Sequence, residues 1–360
     1  MKTLKNNLKE NNNQEFKERK YYLDILRIIA CVLVLITHSV GLIYNKTEIN
    51  LKWYIGNAVY FLSKIAVPIF FMISGALMLK KDDFSYRQLL KKIFFRLIIP
   101  LLAVSAYIYF KMQHHSNIIE FVKAFLSNDI NLTFWYIYAL IGMYLCIPIL
   151  RKLVKNMEKK DYYYIFILWI LIEGVLPIIC SYGKFKIAKQ FNVPIIAQYI
   201  PYYLLGYYIF ELNELKNNKK NLIISIIIAT ICLSISVMAS YIDIKILHKD
   251  KFTLDSIVYI NMILLTTSIC YIVKYFFENK KYCQLEGKIL ATVSATTYGV
   301  YLSHQLIIGK IKPIFYTLDK FLPIYIAYAV YIAMYFLMLC IVIAIPKNIP
   351  YIKKFINKFI

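Results

Sequence analysis

Three residues able to take part in acid–base or ionic chemistry lie inside the first long apolar run of the chain. The run covers residues 23–43 and carries Asp24, Arg27 and His38, where a membrane-spanning helix normally carries no ionisable group. Arg27 and His38 are eleven residues apart, so on an α-helix they point within about 20° of each other and lie about 16 Å apart along the axis. Asp24 precedes Arg27 by three residues and can pair with its guanidinium. The spacing predicts one helix face that carries a cation and, further along, a titratable imidazole.

A structural interpretation of these residues stays open. Asp24 and Arg27 are near enough to the start of the helix to extend towards the lipid headgroups, and a single histidine can be a hydrogen-bonded core residue. The shared face of Arg27 and His38 favours chemistry, or a relay across the membrane, because neither structural role requires that alignment.

The composition identifies the class of protein. Of 360 residues 60% are apolar, the mean hydropathy is +0.57, and only 10 are glycine and 10 proline, which indicates a polytopic membrane protein. The net charge of +23 comes from short basic clusters between apolar runs, so a nucleic-acid-binding face is excluded. The seven cysteines lack the spacing of a metal site, and we interpret them as packing residues.

Apolar runs of about 18 residues or more predict an all-α integral membrane protein with about ten transmembrane helices. The predicted spans are 22–43, 56–79, 94–112, 133–151, 162–182, 194–212, 221–242, 256–277, 291–311 and 321–345. We expect three regions: a disordered cytoplasmic tail (1–20), a ten-helix membrane domain (21–346) and a basic cytoplasmic tail (347–360). No signal peptide is expected, since residues 1–20 are polar.

The distribution of basic residues predicts the orientation. Lys and Arg number 28 on the side of the termini and 13 on the opposite side. Cytoplasmic loops carry the excess of positive charge, so both termini should be cytoplasmic in a multi-pass protein of the plasma membrane.

The second predicted span and the basic loop after it carry further candidates. Lys64 lies within the span, and Pro68 and Gly75 predict a kink that can leave backbone carbonyls free to line a cavity. The loop 80–96 has the densest basic cluster on the cytoplasmic side. Binding of an anionic donor and plain contact with lipid headgroups both fit this cluster.

Later spans contain aromatic and ionisable residues at membrane depth. Trp135 and Tyr136 open the fourth span, where an interfacial aromatic belt and a platform for sugar stacking are both compatible with the sequence. Glu173 lies in the fifth span, and Tyr298 and His304 lie in the ninth. No sequence motif of a soluble hydrolase, nucleotide-binding protein or metalloprotease is present.

Five segments in this order resemble the membrane-bound acyltransferase 3 family, in its stand-alone branch that acylates surface glycans. They are Asp24-Ile25-Leu26-Arg27 leading to His38, Val67-Pro68-Ile69-Phe70-Phe71-Met72-Ile73-Ser74-Gly75, Trp135-Tyr136-Ile137-Tyr138 followed by Pro148, Leu205-Gly206-Tyr207, and Tyr298-Gly299-Val300-Tyr301-Leu302-Ser303-His304. The chain departs from the family pattern at Thr133 and Gln305, and where Lys92 and Arg96 stand for an Arg-x-x-Arg pair.

The resemblance implies transfer of an acyl group, most often acetyl, from cytoplasmic acyl-CoA to a hydroxyl of a cell-surface or lipid-linked polysaccharide. His38 would be the base or an acyl carrier, and Arg27, fixed by Asp24, would orient the donor. Lys92, Arg96 and Lys64 would bind the donor.

The remaining candidates would line the cavity or the acceptor site: Ser74, Trp135, Tyr136, Glu173, Tyr298 and His304. No permanently bound cofactor and no metal are expected. The expected partners are acyl-CoA as donor substrate, a glycan acceptor and the lipid bilayer, with no nucleic acid, and either a glycan-synthesis complex or a homo-oligomer is compatible with the sequence. The alternative function is that of a polysaccharide exporter or flippase component.

Overall fold

The structure is a computed structural model that describes residues 19–45, 48–80, 85–188, 193–197, 199–212 and 215–348. Most of the predicted terminal tails therefore lies outside the described residues. The regular structure within these ranges is helical throughout, with no strand, which confirms the all-α prediction.

The helices are joined by turns and loops of different lengths. The α-helices are α1 Tyr21–Ser39, α2 Leu51–Lys64, α3 Ala66–Leu79, α4 Tyr86–Ile93, α5 Ile99–Tyr107, α6 Ile118–Ser127, α7 Trp135–Asn156, α8 Lys159–Trp169, α9 Leu176–Gly183, α10 Ile200–Phe210, α11 Lys219–Lys245, α12 Ile260–Phe277, α13 Gln284–Leu318 and α14 Ile324–Asn348. Three π-helical segments, Phe94–Ile98, Ile108–Met112 and Ile170–Val175, join α4 to α5, extend α5 and join α8 to α9. Three 3-10 segments are Val40–Leu42, Leu132–Phe134 and Pro194–Ile196.

Eight helical segments of the described chain are long and apolar enough to cross a membrane. They are Tyr21–Leu42, Leu51–Leu79, Tyr86–Met112, Leu132–Asn156, Lys159–Gly183, Lys219–Lys245, Ile260–Phe277 and Ile324–Ala344. They match eight of the ten predicted spans. The polytopic membrane class is thereby confirmed, and the sixth and ninth spans require separate treatment.

The sixth predicted span, 194–212, is not one continuous helix. It consists of a 3-10 turn at Pro194–Ile196 and the short helix α10. The eleven residues of α10 cover about 16 Å, roughly half of an apolar bilayer core. The prediction of a full helix was wrong here, since an apolar run does not show where the chain leaves the helical conformation.

The ninth predicted span lies inside α13, which has 35 residues and is less apolar than the other spans. Hydroxyl and imidazole side chains such as Ser294, Thr297 and His304 are buried in it. They pack against α1, so this helix has a polar inner face.

The relative direction of α1 and α13 fixes the number of crossings between them. Arg27 contacts Ser294 and His38 contacts His304, so the two helices run parallel. Two spans that cross the membrane in the same direction must be separated in the chain by an odd number of other crossings. Six of the eight segments lie between α1 and α13. The segment that contains α10 completes the seventh crossing. With α14 returning after α13, both ends of the membrane domain lie on one side, as the even number of predicted spans required.

The second span is broken where the sequence predicted a kink. Helix α2 ends at Lys64 and α3 begins at Ala66, with Ile65 between them. Pro68 has no amide hydrogen to donate to the carbonyl of Lys64 four residues before, which accounts for the break at this point.

The third span begins earlier than predicted. We predicted a loop over 80–96, but a helix runs from Tyr86 and leads through a π-helical segment into α5. Ser85 starts this helix by accepting a hydrogen bond from the Gln88 amide. Half of the predicted loop is therefore an amphipathic helix.

Helices α3 and α10 are in direct backbone contact. A Cβ atom at Gly75 would overlap the carbonyl oxygen of Tyr203, and one at Gly206 would overlap that of Met72. Only glycine allows two membrane helices to approach this closely. The contact places α10 in the centre of the bundle, where most of its side chains are buried.

Candidate active site

The face of α1 that carries Arg27 and His38 packs along α13. The Arg27 guanidinium donates to the Ser294 hydroxyl at 2.9 Å, and the His38 and His304 rings lie 5.0 Å apart between centroids. Between these two contacts, the Cys31 thiol meets the Thr297 carbonyl oxygen at 3.6 Å. The sequence separation of each pair is 266 or 267 residues, so the two helices stay in register over three turns. The common face predicted from the spacing is present.

Ion pairs hold the Arg27 end of this face. Asp24 is 4% exposed, and its carboxylate lies 3.5 Å from the Arg27 guanidinium. The Arg19 side chain donates to both carboxylate oxygens of Asp24, at 2.7 and 3.0 Å. The predicted pairing of Asp24 with Arg27 is therefore present. Arg19 could not be predicted from spacing, because this residue precedes the helix and helical geometry does not place it.

His304 is held by hydrogen bonds at both ring nitrogens. It is 0% exposed; Nδ1 lies 2.6 Å from the Tyr301 carbonyl oxygen, and Nε2 lies 3.2 Å from the Gln305 amide nitrogen. A carbonyl oxygen only accepts, so Nδ1 carries the proton and Nε2 accepts from the amide. The Tyr335 hydroxyl also donates to the His304 carbonyl. The position and the tautomer of this ring are both fixed.

His38 differs from His304 in every one of these respects. Its side chain is exposed, and within the described part of the chain neither ring nitrogen has a hydrogen-bond partner. One side of the ring lies against His304. The imidazole is therefore positioned by packing while its nitrogens stay free for an incoming molecule.

The charged side chain of Lys64 lies beside His38, at the break between α2 and α3. The Thr37 hydroxyl lies 3.2 Å from the Ser63 carbonyl oxygen, which brings the next residue of each segment, His38 and Lys64, side by side. The charge of Lys64 acts on the His38 ring. Lys64 thus lies at the imidazole end of α1, far from Lys92 and Arg96 with which the sequence grouped it as a donor ligand.

Lys64 is paired with a residue from a distant loop. Its ammonium lies 3.0 Å from the Asp255 carboxylate and 5.1 Å from the centre of the Tyr60 ring. The Tyr60 hydroxyl donates to both oxygens of the same carboxylate, at 2.8 and 2.9 Å. We did not single out Asp255 in the sequence, because nothing in its loop of residues 246–259 shows which helix it would meet.

A polar cluster surrounds the Arg27 end of the face. The Tyr144 hydroxyl lies near the Ser74 side chain and within electrostatic range of both Arg27 and Arg96. The Tyr298 hydroxyl donates to the carbonyl of Leu97, the residue after Arg96, at 3.1 Å. The structure thus brings together Arg27, Arg96, Ser74 and Tyr298. Tyr144, which the sequence analysis did not single out, connects them.

Lys92 lies close to this cluster, one turn before Arg96. Its ammonium is 3.4 Å from the Met78 sulfur at the end of α3. The buried Arg151 guanidinium donates to the Met78 carbonyl oxygen at 2.7 Å. Two basic side chains, Lys92 of α4 and Arg151 of α7, therefore converge on the end of α3 that leads to Lys80.

Tyr136 joins the histidine pair through aromatic contacts, and Trp135 does not. Tyr136 packs against Tyr301 at 5.2 Å between ring centroids, and Tyr301 packs against His304 at 5.7 Å. Trp135 instead packs against Tyr199, in the segment before α10, at 5.7 Å. Tyr136 is thus part of the wall around the histidines, whereas Trp135 lies outside it.

Glu173 stays apart from the other candidates. It lies in the π-helical segment between α8 and α9, beside the start of α12, where Gly174 packs against Ile260. Glu173 lies in electrostatic range of Tyr259. Among the described residues it touches neither Arg27 nor His38, so the structure does not connect it with the candidate site.

Comparison with known protein families gives a match over most of the chain. The family model described as an acyltransferase domain, of the acyltransferase 3 family, matches residues 20–346. No curated protein and no solved structure matches the chain. The match covers more than nine-tenths of the sequence, including both helices that carry the histidine pair. The chain belongs to the acyltransferase 3 family and is a membrane acyltransferase.

Proposed function

We propose that this acyltransferase moves an acyl group, acetyl in the simplest case, from acyl-CoA to a hydroxyl of a cell-surface or lipid-linked polysaccharide. The observation that carries the proposal is the unpaired His38 imidazole. It is exposed, it packs on a fixed His304, and it shares a helix face with the paired Arg27. A reactive base needs free nitrogens in a defined place, and His38 meets both conditions.

The donor would enter from the Arg27 end. This end holds Arg27, Arg96 and Lys92, three cations whose natural ligands are the phosphates of CoA. It is also the side with the excess of Lys and Arg in the sequence, which the charge rule makes cytoplasmic. The long pantetheine arm would then follow the interface of α1 and α13 and bring the thioester to His38, about 16 Å away.

The reaction can be written on the residues present. His38 takes the proton of the acceptor hydroxyl, the oxygen attacks the thioester carbonyl, and the carbon–sulfur bond breaks. The CoA thiolate then takes the proton from the imidazolium, so the products are an O-acyl ester and free CoA. In the acyl-carrier form, a His38 nitrogen attacks the thioester carbonyl, the carbon–sulfur bond breaks, and CoA leaves as the thiol with the proton of the other ring nitrogen. The acceptor hydroxyl then attacks the acyl-imidazole, the carbon–nitrogen bond breaks, and the hydroxyl proton returns to the imidazole.

Several substrates and partners belong to this proposal. The donor is acyl-CoA, the acceptor is a glycan, and the protein needs no permanently bound cofactor or metal for either form of the reaction. The enzyme would act in the plasma membrane, taking the donor from the cytoplasm and an acceptor from the opposite side. Homo-oligomers or a complex with glycan-synthesis proteins are both compatible with the bundle.

Purified protein in lipid nanodiscs tests the proposal. We expect radiolabelled acetyl-CoA to be cleaved, with release of a free CoA thiol, and His38→Ala to lower this rate by about 100-fold or more. His114→Asn is a matched control, because His114 lies in an exposed loop at φ 58°, a conformation that Asn also adopts. An exporter or flippase would cleave no thioester even when unmutated, and that result would refute acyl transfer from CoA.

A further inference from the structure

The Lys64–Asp255 pair has a place and a bonding pattern that the donor chemistry does not use. It lies at the His38 end of α1, whereas the basic cluster for a CoA donor lies at the Arg27 end. The pair is partly open, with the two side chains 23% and 32% exposed. A molecule at His38 that arrives from this side therefore meets Lys64 and Asp255 first.

We propose that Lys64, Asp255 and Tyr60 form the subsite that holds the acceptor sugar, with an uncharged sugar ring presenting its hydroxyls to the ion pair. This inference rests on the proposed acyl transfer. Lys64 would then bind the acceptor and not, as the sequence predicted, the donor.

The bonding capacity of the pair suits hydroxyl groups. The Lys64 ammonium has three N–H donors and uses one of them on Asp255. The carboxylate has about four acceptor positions and receives the Tyr60 hydroxyl and the Lys64 ammonium. A sugar hydroxyl both donates and accepts, so one hydroxyl or two neighbouring ones can bridge the remaining positions on the two side chains.

The charge of the subsite favours an uncharged acceptor. Lys64 and Asp255 neutralise each other, so neither an acidic nor a basic sugar gains a net attraction from the pair. The Tyr60 hydroxyl holds the carboxylate from the other side and prevents it from turning away from Lys64. The acceptor is then selected by the geometry of its hydroxyls and not by its charge.

A neighbouring tyrosine and a cavity give independent support for an occupant here. The Tyr44 hydroxyl is buried and has no hydrogen-bond partner among the described residues. It lies in electrostatic range of Asp255, and a buried polar atom of this kind calls for an explanation. Tyr44 also lines an open cavity of about 670 Å³, a size typical of ligand sites. The lining residues are 41–45, Glu48, Asn50, Lys52 and Ile324. The cavity lies at the His38 end of α1 and offers room for further sugars of a polymer.

The test uses membranes of cells that produce the chain, so that their own glycan is the acceptor probe. Labelled acetyl-CoA is added, and label in glycan is compared with label released as free acetate. We expect Asp255→Asn and Lys64→Met to lower the ratio of glycan label to acetate about tenfold or more. Each substitution removes a side-chain charge whose hydrogen bonds would hold the acceptor. Tyr60→Phe should lower the ratio less, since it only loosens the carboxylate.

Asp250→Asn is the matched control, because Asp250 is exposed in the same loop and the substitution makes the same change of charge. Its ratio should equal that of the unmutated protein. A variant that still releases acetate is folded and active, so a lowered ratio in it reports on the acceptor alone. Equal falls of glycan label and acetate in Asp255→Asn, or no fall in either, would overturn the subsite.

Two further outcomes separate the inference from the function on which it rests. If the unmutated protein cleaves no acetyl-CoA, acyl transfer from CoA fails and the subsite fails with it. If cleavage occurs and fragment mass spectrometry finds the acetyl group on a uronic acid or another charged sugar, only the subsite is overturned. An acetyl group on an uncharged sugar supports the subsite.

Discussion

The two ends of α1 differ in how their ionisable groups are satisfied. At the Arg27 end every named group has partners: Asp24 binds Arg19 and Arg27, and Arg27 also binds Ser294. At the other end, His38 is exposed and hydrogen-bonds to no described residue, although His304 beside it is bonded at both nitrogens. One helix thus combines an end made rigid by ion pairs with an end left free to react.

This difference indicates a division of labour along the bundle. A guanidinium that must hold a phosphate gains from being pre-positioned by a carboxylate, since less side-chain freedom is then lost on binding. A general base needs its lone pair free in the ground state. Side-chain type alone does not show which histidine is the better candidate for the proposed base, and the hydrogen bonds of His304 favour His38.

The largest expected effect concerns His38, whose imidazole, at one end of α1, has no hydrogen-bond partner among the described residues. His38→Ala should lower kcat for acyl transfer by about 100-fold or more, because a positioned proton acceptor typically contributes that much. The KM for acetyl-CoA should change little, since the Arg27 end is untouched. Steady-state kinetics of the purified protein measure both constants. A fully active His38→Ala protein would assign the chemistry to another residue.

Replacing His304, which is hydrogen-bonded at both ring nitrogens, should lower kcat less than replacing His38. His304→Ala should lower kcat about tenfold, because the His38 ring loses the side chain that positions it. His304→Asn should restore much of the rate, since its amide can replace the Nδ1–H bond to the Tyr301 carbonyl. A purely structural role would lower the thermal stability of the Ala variant and leave kcat of the folded fraction unchanged.

A substitution at the Arg27 end should mainly change the KM for acetyl-CoA. Arg27→Lys keeps the charge but loses the planar guanidinium that contacts Asp24 and Ser294 and that we propose binds a donor phosphate. Losing one charged hydrogen bond corresponds to about a tenfold rise in the KM for acetyl-CoA, with kcat nearly unchanged. A large fall in kcat at constant KM would instead place Arg27 at the reacting bond.

The geometry of α1 could be predicted from the sequence, because at 3.6 residues per turn the spacing of two residues determines the angle between their side chains. The alignment of Arg27 and His38 and the pairing of Asp24 followed from spacing alone. The break between α2 and α3 followed from the missing amide of Pro68. These features depend on residues that are near one another in the chain.

Features that depend on distant parts of the chain were not predictable from spacing. The partner of Lys64 is Asp255, 191 residues later, and no periodicity connects the two. The short α10 looked like part of a full span, because hydropathy does not reveal that residues 193–197 and 199 lie outside any α-helix. Glu173 was chosen for its depth in the membrane, but depth does not show which way a side chain faces.

The smallest expected effect concerns Arg96, and it tests whether the basic cluster takes part in donor binding. Arg96 is exposed, although it lies in electrostatic range of Tyr144 near Arg27. Exposed ionic contacts are typically worth up to about 1 kcal/mol, so Arg96→Ala should raise the KM for acetyl-CoA only about threefold. The measurement is the KM at low and at high salt, because screening should reduce this difference.

Arg87→Ala is the matched control for this last prediction. Arg87 is also exposed and basic, but it lies in α4, more than two helical turns before Arg96, so it should leave the KM unchanged. Equal and small effects of the two variants would mean that the basic residues of this segment only orient the protein in the membrane. A rise in KM confined to Arg96→Ala would extend the donor site from Arg27 to the membrane surface.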